Sequence, residues 1–233
     1  RMEFRTQREI KPTESSKEKV ILIGNPNVGK SVIFNYLTGK YVTVSNYPGT
    51  TVEVATGTMA AQGKKFQVVD TPGINSLVPM SEDERVTRDI LLNEPQRHLL
   101  QVIDAKNLRR GLLISLQLLE MRLPFLLILN MWDEAKSRGI EIQTQILSKI
   151  LGAPVFKTVA TRRKGVEKIK ENLEVQSPSS ISIVYPEAIE KGLSQITALL
   201  PEARRRHPAA RRNGPPPGLA GGPRPLAGGD EEG

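Results

Sequence analysis

Short apolar runs alternate along this chain with segments whose apolar residues recur at helical spacing. That alternation is the pattern of repeated strand–helix–strand units, in which helices cover both faces of a largely parallel sheet. The runs "VILIG" (20–24), "TVEVATGTM" (51–59), "KKFQVVD" (64–70), "HLLQVID" (98–104), "PFLLILN" (124–130) and "PVFKTVA" (154–160) predict six strands in an α/β fold. Helices are expected at 30–38, 82–93, 108–121, 141–151 and 165–174, with Gly39 and Gly152 stopping two of them. Between the second and third strands, the turn "AAQGKK" offers Gly63 for a positive φ. That hairpin makes the second strand an antiparallel edge.

The pattern changes after residue 175. A Ser/Pro linker, "QSPSSIS" (176–182), leads to "YPEAIEKGLSQITALLPE", a helical segment with Ile189, Leu193, Ile196 and Leu200 on one face, which must pack on something. Residues 213–233 hold seven Gly and five Pro, too little apolar surface to offset chain entropy. The expected organisation is a flexible tail over 1–19, one main domain over 20–175, a partial helical segment over 176–202 and a disordered tail over 203–233.

Composition narrows the chemistry. The absence of cysteine excludes disulfides and thiolate metal sites, and with only His98 and His207, far apart in sequence, no histidine metal site is expected. No apolar run approaches the roughly 20 residues that cross a bilayer, and no apolar segment precedes Val20, so a soluble, cytoplasmic chain is expected. Half of the net charge of +8 lies in residues 1–19 and 202–233, which leaves a mixed surface over the domain rather than a nucleic-acid stripe.

"GNPNVGKS" (24–31) follows the first strand and opens the first helix, the context that a phosphate-cradling loop requires. Gly24 and Gly29 let successive N–H groups point inward at phosphate oxygens, Lys30 reaches the β and γ phosphates, and Ser31 offers a hydroxyl to Mg²⁺. Asn25, Asn27, Val28 and Val32 complete the cradle. "DTPG" (70–73) ends the third strand, where Asp70 supports Mg²⁺ through water and the Gly73 N–H meets a γ-phosphate. Within "SNYPGTTVE", Thr51 is the hydroxyl that reaches Mg²⁺ only when the γ-phosphate is present, making the loop a switch. "NMWD" (130–133) ends the fifth strand: Asp133 accepts from guanine N1–H and the exocyclic amine, Asn130 ties neighbouring loops together, and Met131 lies beside the base. "VATRRKG" (159–165) sets the Ala160 N–H against guanine O6, with Thr161 next to it. These residues predict a Mg²⁺-dependent, guanine-specific GTPase that uses GTP and GDP.

In their order these five motifs resemble those of the translation-factor-like P-loop GTPases. Together with "VIDAKNLRRGLLISLQLLEMRLPFLLILNMWDEA" and "YPEAIEKGL", they are similar to the cytosolic N-terminal G domain of FeoB, the ferrous iron transport protein B, over about residues 20–202. The resemblance implies a nucleotide-switched module on the cytoplasmic face of the inner membrane. Its partner is a permease portion of the same polypeptide that carries Fe²⁺, and its helical segment stabilises the GDP form. A homo-oligomer is left open, and no nucleic acid is expected. A residue match implies that Asn27 helps to hold K⁺ against the phosphates, with main-chain carbonyls near Ser45 and Tyr47 completing that site.

Two departures from the broader GTPase pattern bear on mechanism. Met131 stands where a lysine usually covers the base, and Ile74 stands where small signalling GTPases place a water-orienting glutamine. Hydrolysis is therefore expected to be slow, with a monovalent cation offsetting charge that an arginine finger neutralises elsewhere. Lys30, Thr51, Gly73 and Asn27 are the catalytic candidates. Two alternatives stand beside this reading: a ribosome-assembly-type GTPase, and a GTP sensor with negligible hydrolysis.

Overall fold

A computed structural model describes residues 18–39, 42–94, 97–175 and 183–199. Residues 1–17 of the tail expected at 1–19, the tail expected at 203–233, the linker at 176–182 and Leu200 lie outside the described residues, and Lys19 belongs to the first strand. The chain divides into two compact units between Ile183 and Val184.

In the first strand, β1 (Lys19–Gly24), Val20 and Leu22 pack into one core cluster and Ile21 and Ile23 into another, and all four are fully buried. A strand apolar on both faces belongs in the middle of a covered sheet. β1 accordingly lies between two parallel neighbours, β4 (Lys64–Asp70) and β5 (Arg97–Asp104). The sheet continues from β5 to β6 (Leu126–Asn130) and β7 (Val155–Lys157), both parallel. On the other side β3 (Glu53–Ala61) pairs antiparallel with β4 through the predicted hairpin, in which Gly63 takes φ 75°. Helices α1 (Lys30–Thr38) and α6 (Val166–Glu171) cover one face. Helices α2 (Glu82–Asn93), α3 (Leu108–Glu120) and α5 (Thr144–Leu151) cover the other. Gly39 and Gly152 cap α1 and α5 at positive φ, as expected.

The α/β class stands, but the sheet has seven strands, not six. The additional strand β2 (Val42–Asn46) pairs antiparallel with β3, giving the order β2-β3-β4-β1-β5-β6-β7. The predicted second strand is therefore not the edge. Every residue of β2 is exposed, so no buried face marked it in the sequence. A second unpredicted element is α4 (Trp132–Ser137), a short helix that begins where β6 ends and Met131 takes φ 58°. α6 is shorter than expected and is followed by a 3-10 turn over Leu173–Val175. In the second unit, α7 (Glu187–Leu199) buries no residue, and Ile189 and Ile196 are exposed.

The seat of α3 on β5 depends on one glycine. A Cβ on Gly111 would stand 2.4 Å from Ile103 Cγ2, with two further Ile103 atoms within 2.6 Å. The Gly111 carbonyl also accepts from buried Gln101 Nε2 at 2.9 Å, while Ser115 Oγ donates to Gln101 Oε1 at 2.7 Å. Gly111→Ala is expected to destabilise the domain by about 1–3 kcal/mol through overpacking. A denaturant midpoint equal to the parent's would refute this account of the contact.

Candidate functional site

The loop after β1 is shaped by two close approaches. A Cβ on Gly24 would lie 2.3 Å from the Val102 carbonyl oxygen of β5. Gly29 takes φ 81°, and a Cβ there would lie 2.3 Å from Asn130 Nδ2. Glycine is therefore needed at both positions, for steric room at the first and for room and backbone conformation at the second. Asn27 also takes a positive φ, 64°, so the chain folds tightly before α1 begins at Lys30. The first N–H groups of α1 have no intrahelical partner and form the positive end of the helix dipole.

A cleft of about 480 Å³ opens at this point, lined by Asn25, Pro26, Asn27, Gly29, Lys30, Ser31, Val32, Gly73 and Asp83. Two sequence segments far apart thus meet as expected. Asp83, in the first turn of α2, was not anticipated; only its position in space identifies it.

The segment after β4 is laced onto the loop. Ile74 N–H donates to the Gly24 carbonyl at 3.0 Å, and Asn25 Nδ2 donates to the Ile74 carbonyl at 3.0 Å and to Asn75 Oδ1 at 3.3 Å. A Cβ on Gly73 would come within 2.9 Å of Pro26 Cα, so this approach also requires glycine. Buried Lys30 donates to the Asp70 carboxylate and to the Thr71 carbonyl. Ile74 is 1% exposed, so its side chain lies in the core and not toward the cleft.

Polar side chains of α3 and α2 hold the residues that follow. Arg110 Nη2 donates to Asn75 Oδ1 at 2.7 Å, Gln117 Oε1 accepts from Leu77 N–H at 2.8 Å, and Gln117 Nε2 donates to Ser76 Oγ at 2.8 Å. Glu84 accepts from Met80 N–H at 2.9 Å while its own N–H donates to the N-cap hydroxyl of Ser81. The Met80 amide, helped by those of Asn75, Ser81 and Ser76, holds the Glu84 carboxyl below the usual carboxylate range against the opposing effect of burial.

Thr51 is placed apart from the cleft. It is exposed, and its hydroxyl donates to Glu82 Oε2 at 3.4 Å. The carbonyls expected to serve K⁺ have other partners: Tyr47 accepts from Thr50 N–H and Oγ1 at 3.0 and 2.9 Å, and Ser45 is in register with Val54 in the β2–β3 ladder.

At the end of β6, buried Asn130 joins three strand ends. Its Nδ2 donates to the Val28 carbonyl at 2.9 Å, and its Oδ1 accepts from Thr158 Oγ1 at 3.1 Å and from Ala160 N–H at 3.0 Å. The Ala160 N–H, expected to face a base, is thus directed at Asn130 instead, because the side chain that bridges the loops needs a donor there. Thr161 supplies the next amide, inside the 3-10 turn Ala160–Arg162. Asp133 has a 35% exposed side chain; its Oδ1 accepts from Glu134 N–H at 3.1 Å and its Oδ2 lies 3.7 Å from Arg162 Nη1.

Known proteins resemble this chain in sequence and in fold. The family described as ferrous iron transport protein B matches residues 18–173. A Fe(2+) transporter FeoB from Staphylococcus aureus is 37% identical over 187 residues, covering 78% of this chain and 28% of that protein. The chain spans about a quarter of the length of the curated relatives it matches. Among solved structures, a mutant of S. thermophilus NFeoB bound to GDP superposes with a TM-score of 0.74 at 35% identity, covering 83% of this chain and 75% of that one. The cytosolic domain of T. maritima FeoB in its GMPPNP form gives 0.73 at 35% identity, covering 77% and 73%. Matched over two-thirds of its length and folded like these G domains, the chain belongs to the family of ferrous iron transport protein B, FeoB.

Proposed function

We propose that residues 20–175 are a guanine-specific, Mg²⁺-dependent GTPase domain, switched between GTP and GDP states, that regulates a ferrous iron permease on the same polypeptide at the cytoplasmic face of the inner membrane. The observation that carries this reading is the junction at the ends of β1, β4 and β6. There the phosphate loop is hydrogen-bonded to Ile74 and Asn75 on one side and to Asn130 on the other. One segment suited to phosphates, one suited to a γ-phosphate and one suited to a purine edge are held in fixed relation.

Lys30 and the amides of the loop hold the phosphates, and Asp133 with the Thr161 amide reads the base. The reaction is attack of water on the γ-phosphoryl group, with stabilisation by Lys30 and the Gly73 N–H. An exposed hydroxyl at Ser31 and a carboxylate at Asp70 are oxygen donors of the kind that Mg²⁺ prefers. Mg²⁺, when bound, neutralises charge on the transferred group. Thr51 joins Ser31 only if β2 leaves β3, and the same movement frees the Ser45 carbonyl to meet K⁺ beside Asn27. An edge strand that is exposed throughout is cheaply released, which suits a switch. The segment 176–202 takes the role of stabilising the GDP form, with 1–17 and 203–233 as tails.

Calorimetry with GTP, GDP and ATP in Mg²⁺ and K⁺ buffer tests the proposal. Both guanine nucleotides are expected to bind, with ATP weaker by about a hundredfold or more. Equal affinities would overturn it. Turnover in KCl is expected to exceed that in NaCl at equal ionic strength, and equal rates would remove the K⁺ assignment. A second reading, a GTP sensor with negligible hydrolysis, is favoured by the buried Ile74, which leaves no water-orienting side chain at that position. Single-turnover kinetics with and without K⁺ separate the two.

A further inference from the structure

Lys106 lies in the 3-10 turn Ala105–Asn107 between β5 and α3, and its side chain is only 13% exposed. Its ammonium group donates to the Glu134 carboxylate, lies 3.5 Å from Met131 Sδ and stands 3.9 Å from Asp104 Oδ2. Asp104 is itself fixed, because Oδ1 accepts from Lys106 N–H at 2.9 Å and Oδ2 from Asn107 Nδ2 at 2.8 Å. The cation is therefore anchored at its base and reaches the two residues that stand one and two positions from Asp133.

Those two residues govern the surroundings of Asp133. Met131 takes φ 58°, and its methyl carbon reaches 4.0 Å from where a Cβ on Gly29 would lie, so the thioether spans from Lys106 toward the phosphate loop. Methionine has three free rotors and holds no fixed place unaided. Glu134, on the other side, donates its N–H to Asp133 Oδ1. A carboxylate that must accept two hydrogen bonds from one base edge tolerates only small displacements.

We propose that Lys106 is a positioning residue for base recognition: by holding Met131 Sδ and Glu134 together it fixes the first turn of α4, and with it the Asp133 carboxylate. It supplies the cation that position 131 lacks. The inference rests on the reading of Asp133 as the residue that meets guanine.

The test uses the full chain and two nucleotides that differ by one donor, GDP and inosine 5′-diphosphate, which has no 2-amino group. Calorimetric Kd values are measured for the parent, Lys106→Met and Lys106→Arg, together with unfolding midpoints. Lys106→Met is expected to lower the preference for GDP over the inosine nucleotide by about three- to tenfold, the worth of one hydrogen bond. Lys106→Arg, which keeps the charge, is expected to restore most of it. A preference unchanged in Lys106→Met overturns the proposal, whether both affinities fall together or neither moves, and whatever the unfolding midpoint does. A parent that binds GDP no better than the inosine nucleotide removes instead the assignment of Asp133, and this inference with it.

Discussion

Lys30→Met is expected to abolish tight GTP binding and to destabilise the domain at the same time, for two separable reasons. The binding loss follows from the charge: an ammonium that meets phosphate oxygens makes charge-assisted hydrogen bonds, and losing them weakens GTP affinity by about a hundredfold or more. The stability loss follows from what Lys30 holds in the protein. It is buried, it donates to buried Asp70 and to the Thr71 carbonyl, and methionine can do neither. Removing one member of a buried ion pair leaves an uncompensated charge, at a cost of about 3–5 kcal/mol. Replacing both members is much less harmful, because no orphan charge remains. The double variant Lys30→Met, Asp70→Asn is therefore expected to recover most of the unfolding midpoint and none of the GTP affinity. A single variant with the parent's midpoint would show that the pair does not hold the fold. A double variant that binds GTP like the parent would show that Lys30 does not hold phosphate.

The legibility of this fold in its sequence followed burial. β1, β4, β5 and β6 are read easily because both of their faces are covered: β1 and β6 are continuous apolar runs, and in β4 and β5 a single Gln, Gln67 or Gln101, interrupts the run. β2 escapes the same reading: Val42 and Val44 do alternate with polar residues, but both are exposed and the strand lies at the edge of the sheet, paired with β3. α4 escapes because six residues carry too little periodicity to register, and because Met131 turns the chain in a left-handed conformation that glycine would have announced. In the site, residues that act through backbone geometry were legible: Gly24 and Gly29 are each excluded from bearing a side chain by a contact of 2.3 Å. Residues that act through partners were not. Arg110, Gln117, Asp83 and Lys106 lie between 10 and 58 residues in sequence from the residues they meet, and nothing in their own neighbourhoods marks them. The direction of the Ala160 N–H was misjudged for a related reason, since its acceptor, Asn130, is 30 residues away.

Asp133→Asn is expected to lower guanine-nucleotide affinity by about a hundredfold or more while raising affinity for xanthine nucleotides. Guanine presents two donors on one edge, N1–H and the 2-amino group, and a carboxylate accepts both. Two hydrogen bonds to a charged group are together worth about 3–6 kcal/mol. A carboxamide keeps one acceptor and turns the other position into a donor, which then faces the guanine amine and repels it. Xanthine has a carbonyl oxygen at that position, so the same donor becomes an attraction. The substitution isolates recognition because Asp133 contributes little to the fold: among the described residues its oxygens meet the Glu134 N–H at 3.1 Å and, across 3.7 Å, Arg162, and the side chain is 35% exposed. A change at such a site is expected to move stability by no more than about 0.5 kcal/mol. Competition between GDP and xanthosine 5′-diphosphate, measured beside a denaturant titration, decides the matter. An unchanged preference at parental stability would mean that the base is read elsewhere, and guanine specificity would then have to come from main-chain groups near Thr161.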